Sequence, residues 1–150
     1  MALGANDAQT LKAVLEADAW PGPSLVIGYS ARIAHGIDMA ASMAHQRDAV
    51  RSGFWPLWRY HPGMDPHQHP FQLDSRAPSL PLREFAVSEA RFAMLMRSDP
   101  TAAERLLALA ESDANERWRY YTQLAGVERT VSDPPPGPLA PSTKRAGPKG

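Results

Sequence analysis

The stretch Ser52-Gly53-Phe54-Trp55-Pro56-Leu57-Trp58-Arg59-Tyr60, followed after a short loop by Pro70-Phe71-Gln72-Leu73-Asp74-Ser75, is the most specific text in this 150-residue chain. Neither helix nor strand periodicity accounts for two such aromatic and proline blocks. Phe54 to Tyr60 is rich in strand-favouring residues. Pro56 has no amide hydrogen to give to a ladder, which confines the block to a sheet edge or the start of a strand. Residues 61–83 are dense in proline and read as an ordered wrap rather than an element.

Upstream of the block, Asp38 is placed to cap a helix reaching about Ser52, with Arg47 and Arg51 in its last turns and Gly53 as its stop. Nearer the start, Asn6 with Gln9 three positions on spells a helix N-cap and its capping-box partner. Leu11, Val14, Leu15 and Ala19 then recur on one helical face. Trp20 stands before Pro21, which pushes it out of the helical region and ends the element. Pro21-Gly22-Pro23 is a turn, and Leu25-Val26-Ile27 is an unbroken apolar run that suits a parallel strand covered on both faces. A helix and then such a strand make half of a βαβ unit, so a neighbouring strand is expected ahead of Met1. With that edge bare, the isolated chain is expected to be marginally stable or to self-associate.

Downstream, Glu84 to Arg97 is expected to be helical. Pro100 sits at a first helical position behind Asp99. From there Ala103, Leu107, Ala110, Ala114, Trp118, Tyr121 and Ala125 recur at steps of three and four, and Gly126 ends the helix. Residues 132–150 hold six prolines, three glycines and three basic residues. A segment so poor in apolar side chains is expected to be disordered.

Sixteen basic residues balance sixteen acidic ones, so no field draws the chain to nucleic acid or to an anionic membrane. The sequence has no run of 18 apolar residues and no basic-then-apolar leader, which leaves the cytoplasm as the expected location. Cysteine is absent altogether. Disulfides, thiolate catalysis and thiolate metal ligation are thereby excluded for this chain.

The two blocks resemble the C-terminal region of the pyruvate:ferredoxin (flavodoxin) oxidoreductases, where the usual text is close to Ser-Gly-Tyr-Trp-Pro-Leu-Tyr-Arg-Tyr and Asn-Pro-Phe-Gln-Leu-Asp-Ser. The resemblance extends upstream through Gly4-Ala5-Asn6-Asp7, Gln9-Thr10-Leu11-Lys12-Ala13, Gly22-Pro23-Ser24-Leu25 and Ile33-Ala34-His35-Gly36-Ile37-Asp38-Met39. It extends downstream through Ser88-Glu89, Arg91-Phe92, Met94-Leu95, Glu116-Arg117-Trp118 and Gln123-Leu124-Ala125-Gly126. It implies an α/β, helix-dominated C-terminal fragment of a thiamine-diphosphate-binding, Rossmann-like fold over residues 1–126; the family pattern has no counterpart for residues 127–150, which composition leads one to expect as a disordered Pro/Gly-rich tail. The implied parent reaction is oxidative decarboxylation of pyruvate with coenzyme A, using thiamine diphosphate, Mg2+ and [4Fe-4S] clusters and passing electrons to ferredoxin or flavodoxin.

For this chain the resemblance implies less. The family grips the cofactor's diphosphate through Mg2+ with a Gly-Asp-Gly motif that is absent here. After the apolar strand the family reads approximately Tyr-Ser-His-Cys-Ile-Ala-His-Gly, its cysteine completing the cluster nearest the thiamine. Here Tyr29-Ser30-Ala31-Arg32-Ile33-Ala34-His35-Gly36 places Arg32 at the cysteine position, and a protonated guanidinium has no lone pair for iron. Alone, the chain is expected to bind none of these cofactors and to be inactive, with the upstream portion of the oxidoreductase as its natural partner. A relic, one part of a split enzyme and a non-catalytic interaction module are the three accounts in play.

Other residues carry weaker suggestions. His61, His67 and His69, with Asp65, have the donor types for Zn2+ or Ni2+, but intervening prolines block helical spacing and a solvated loop is the blander reading. His35 follows a strand end, where α/β sites gather, or else packs locally. Glu89 and Asp74 have acid–base chemistry, yet nothing in their spacing pairs them. Trp55, Trp58, Phe71, Trp118 and Tyr121 are expected to pack rather than to stack on bases.

Overall fold

The computed structural model describes residues 1–31, 38–62 and 69–128. Five helices and one two-stranded ribbon carry the fold: α1 (Asp7–Ala19), α2 (Ser42–Arg51), β1 (Trp58–Tyr60), β2 (Phe71–Leu73), α3 (Leu82–Val87), α4 (Ala90–Ser98) and α5 (Pro100–Ala125). A helix-rich chain with one small sheet is compatible with an α/β fragment.

The two blocks of distinctive text are the two strands of the ribbon. They run antiparallel, with Trp58 opposite Leu73, Arg59 opposite Gln72 and Tyr60 opposite Phe71. The alternation of side chains along a strand sends Arg59 and Gln72 to one face and the aromatics to the other. Below the ribbon the blocks are laced again: the Leu57 amide donates to Ser75 Oγ at 2.7 Å and the Asp74 amide to the Leu57 carbonyl at 2.9 Å. β2 corrects the expectation of an element-free wrap. Three residues beside Pro70 are too short to show alternation, and their pairing comes from a distant segment.

Helix α5 follows the expected pattern. The Asp99 side chain accepts from the Ala102 amide at 2.9 Å, Pro100 opens the helix and Gly126 caps it. All seven positions read as its inner face are buried or half-buried. The core beside it gathers Ala49, Leu82, Phe85 and Ala114, with Tyr29, Phe54 and Trp55 packed around them. A second aromatic group joins ribbon to α5, with Phe71 5.6 Å from Trp58 and 5.7 Å from Tyr121 between ring centroids.

Five expectations change. Asn6 does cap α1, accepting from the Gln9 amide at 2.9 Å, but the Gln9 side chain turns away to Asp74 and no capping box closes. The apolar face of α1 looks outward, with Leu11 60%, Val14 44% and Leu15 58% exposed. Its polar face is held inward because Gln9 and Glu16 reach charged partners on the ribbon. Leu25-Val26-Ile27 forms no strand; only Ile27 and Tyr29 make backbone bonds, both to Met1. Finally, the single helix expected over 84–97 is two, broken at Ser88-Glu89. Asp38 caps a short 3-10 turn at Met39–Ala41 that leads into α2, rather than α2 itself.

Two glycines are required by their surroundings. Gly53 adopts φ +73°, the left-handed region, as the chain turns from α2 into β1. Gly4 lies against α2, where an added Cβ would sit 2.4 Å from the Met43 carbonyl oxygen. Gly4→Ala is therefore expected to cost about 2 kcal/mol in urea unfolding, by forcing the N-terminal turn off α2. A loss under about 0.5 kcal/mol would show that the turn is not tied there.

Candidate functional site

The break between α3 and α4 creates the most unusual site. Glu89 has extended backbone at φ −98°, ψ 126°, and its side chain points inward rather than capping α4. It is 1% exposed. Its Oε1 accepts from the Tyr29 hydroxyl at 3.2 Å and lies 3.2 Å from His45 Nε2; its Oε2 accepts from Arg91 Nε at 2.5 Å. Tyr29 Oη also stands 3.1 Å from His45 Nε2, and Ser88 Oγ 3.5 Å from His45 Nδ1. Burial, then the Glu89 charge and its hydrogen bond, push the Tyr29 phenol above its ordinary range, with Arg91 partly opposing.

The cluster ties three pieces together: the extended segment ending at Tyr29, helix α2 through His45, and the α3–α4 break. Chemically it is a satisfied polar network closed around a carboxylate. It holds no exposed nucleophile, and it fixes the chain just ahead of residues 32–37, which lie outside the described residues.

A second network fills the other face of the ribbon. Arg59 donates to Asp74 from Nε at 2.8 Å and Nη2 at 2.9 Å, to both Glu16 carboxylate oxygens at 2.5 and 2.6 Å, and to Gln72 Oε1 at 2.7 Å. Gln9 Nε2 adds a 3.0 Å bond to Asp74. Two carboxylates flanking one guanidinium raise the Arg59 pKa still further.

Beside this network runs a groove of about 590 Å3, between α1, the extended segment 23–27 and the 54–62 block. Trp20, Trp55, Trp58 and Tyr60 give it an aromatic lining, with aliphatic Ile27 beside them. Two buried polar atoms on its wall, Gln9 Oε1 and His61 Nδ1, have no hydrogen-bond partner.

The residues singled out by sequence are scattered. Arg32, His35, Asp65 and His67 lie outside the described residues. His61 packs edge-on against Trp20 and donates its amide to the Pro70 carbonyl; His69 Nδ1 accepts from the Phe71 amide at 3.2 Å. Among the described residues no group of three His, Cys, Asp or Glu is placed to hold a metal ion. Glu89 and Asp74 belong to different networks and are not a catalytic pair. Sequence reasoning missed His45 and Tyr29 as the partners of Glu89. The available signal was a lone histidine within the α2 stretch and a glutamate in a gap between two helical runs.

No protein-family profile matches the chain. Among curated proteins it is 50% identical over 131 residues to a pyruvate-flavodoxin oxidoreductase of Trichormus variabilis, covering 87% of this chain and 11% of that protein. It is 45% identical over 131 residues to one from Klebsiella pneumoniae, covering 85% and 11%. A pyruvate:ferredoxin oxidoreductase of Moorella thermoacetica is 41% identical over 126 residues, covering 83% and 11%. The chain thus spans about a ninth of the length of these relatives, and the likeness supports their family. Among the described residues no helix is long and apolar enough to cross a membrane.

Proposed function

We propose that this chain is the closing section of the thiamine-binding, Rossmann-like domain of a pyruvate-flavodoxin oxidoreductase, with residues 1–126 as the packed segment and 127–150 as a tail. The parent reaction is thiamine-dependent oxidative decarboxylation of pyruvate with coenzyme A, its electrons passing to ferredoxin or flavodoxin. The carrying observation is 41–50% identity to such enzymes across the blocks that form the ribbon and its Arg59 network.

On this reading the chain supplies framework and no complete cofactor site. Its donor set does not fit a [4Fe-4S] cluster, because the sequence has no cysteine and such clusters are held by thiolates. Nor does the sequence contain the Gly-Asp-Gly motif through which the family grips a Mg2+-bound diphosphate. Arg32 takes the place of the family's cluster cysteine. A permanently charged guanidinium is among the least tolerable replacements for a buried thiolate, so a relic is favoured over a working split subunit.

The test is to co-express the chain, as it stands and as Arg32→Cys, with the upstream portion of a related oxidoreductase. Pyruvate-dependent viologen reduction is the readout. Little activity is expected from the native sequence, and at least about tenfold more from the cysteine variant, since even the outer-shell partners of metal ligands are worth about 10–100-fold. Equal activity from both would refute the relic and establish a split subunit that works without that ligand.

A further inference from the structure

Met1 and Gly28 stand opposite each other as residues of a parallel strand pair do. The Met1 nitrogen donates to the Ile27 carbonyl at 2.7 Å, and the Tyr29 amide donates to the Met1 carbonyl at 2.9 Å. One residue bonded to the two that flank its opposite number is the parallel pattern, whereas an antiparallel pair exchanges both bonds between the same two residues. We propose that the edge of Leu25-Val26-Ile27 accepts one β-strand, which runs parallel to it in the register that Met1 sets and belongs to the upstream portion of the oxidoreductase.

The register follows from strand geometry. Alternate residues of a paired strand turn both backbone groups to the same edge. Ile27 and Tyr29 face Met1, so Leu25 faces the same way. Among the described residues the Ile27 amide and the Leu25 carbonyl have no backbone partner. One step back along the ladder, the residue two places ahead of Met1 donates its amide to Leu25 and accepts from Ile27.

The side chains ask for the same cover. Leu25 is 85%, Val26 40% and Ile27 51% exposed. Alternation sends Val26 to one face and its two neighbours to the other, so both faces are bare. Apolar residues on both faces are the mark of a strand inside a parallel sheet. An unpaired edge flanked by them is a template for strand addition.

Three observations select the occupant. A parallel pair needs a crossover rather than a hairpin, and α1 lies between Met1 and Leu25 as that crossover. A second copy cannot fill the gap symmetrically, because no two-fold axis between identical edges reproduces a parallel register; copies would add only head to tail, without closure. Finally, the match covers 11% of the relatives, so about nine-tenths of each lies outside it and, on the reading above, ahead of it. The choice of occupant rests on that reading, while the register rests on the hydrogen bonds alone.

The experiment joins a strand of about six residues ahead of Met1 of the full chain. Its sequence is the stretch immediately ahead of the matched region in the Trichormus variabilis enzyme. Amide hydrogen exchange of Ile27 is followed by NMR in the extended and unextended chains, with the α5 amides as a check on folding. Two further versions carry proline one place or two places ahead of Met1. The same strand is also added as a free peptide to the unextended chain, which keeps the test open if the fusion folds poorly. Exchange at Ile27 is expected to slow at least about tenfold on extension. Proline two places ahead should abolish that gain, since it has no amide for Leu25, and proline one place ahead should keep most of it. Unchanged exchange at Ile27 with both the fused and the free strand overturns the proposal, as does equal loss from the two prolines. Ile27 protection that rises with concentration of the unextended chain also overturns it, by assigning the edge to a second copy. The readout is an amide and not pyruvate oxidation, so this result and that of the Arg32→Cys experiment stand or fall separately.

Discussion

Replacing Glu89 by alanine is expected to lower the free energy of unfolding by about 3–5 kcal/mol, the range for removing one partner from a buried charged network. That is a large share of the roughly 5–15 kcal/mol that holds an ordinary domain together. The carboxylate is 1% exposed and serves Tyr29, His45 and Arg91 together. Its loss leaves a buried phenol and imidazole without the acceptor they share. Glu89→Gln keeps the volume and one acceptor oxygen, and is expected to cost only about 1–2 kcal/mol. Denaturant unfolding with tryptophan fluorescence reads both. A loss under about 1 kcal/mol for Glu89→Ala would mean the carboxylate is solvated and the α3–α4 break needs another cause.

The same network has a pH signature. The folded-state pKa of Tyr29 lies above its ordinary value of 10.0. The stability contributed by its neutral phenol is therefore fully present below pH 10 and is lost as pH rises beyond it, since the unfolded chain releases that proton first. Tyr29→Phe removes this component of the alkaline loss.

What was legible in the sequence was whatever is decided locally. Asp99-Pro100 followed by apolar residues at steps of three and four spells α5, because capping and periodicity act within a few residues. Pro56 marks the block as a sheet edge or strand start, and the strand begins two residues on, at Trp58. What was not legible is decided by distant charge. Nothing local separates α3 from α4: Val87-Ser88-Glu89-Ala90 contains neither glycine nor proline. The break accompanies a carboxylate turned inward toward Tyr29 and His45, 60 and 44 positions away. Periodicity chose the wrong face of α1 for the same reason. Leu11, Val14 and Leu15 form the better apolar stripe, yet Gln9 and Glu16 have charged partners on the ribbon. Phe71-Gln72-Leu73 became a strand only through Trp58-Arg59-Tyr60, a pairing that neither block spells out by itself.

Arg59→Met is expected to cost about 3 kcal/mol, chiefly because it leaves Glu16 and Asp74 facing each other without the cation that separates them. The Arg59 side chain is 9% exposed, against 21% for Glu16 and 16% for Asp74, so the carboxylates regain only part of their hydration when it goes. Arg59→Lys is the sharper comparison. Lysine keeps the charge but cannot span Asp74, Glu16 and Gln72 with one planar fork, and a cost of about 1–2 kcal/mol is expected. In the Arg59→Met background, Asp74→Asn should return about 1 kcal/mol by removing the repulsion, whereas in the native chain it should destabilise. That change of sign distinguishes an electrostatic hub from simple packing of the arginine stem. Equal effects of Asp74→Asn in both backgrounds would reduce Arg59 to a packed side chain. Substitution of Arg83, whose pairing with Glu104 lies at 46% and 58% exposure, serves as the solvent-exposed control and should leave stability unchanged.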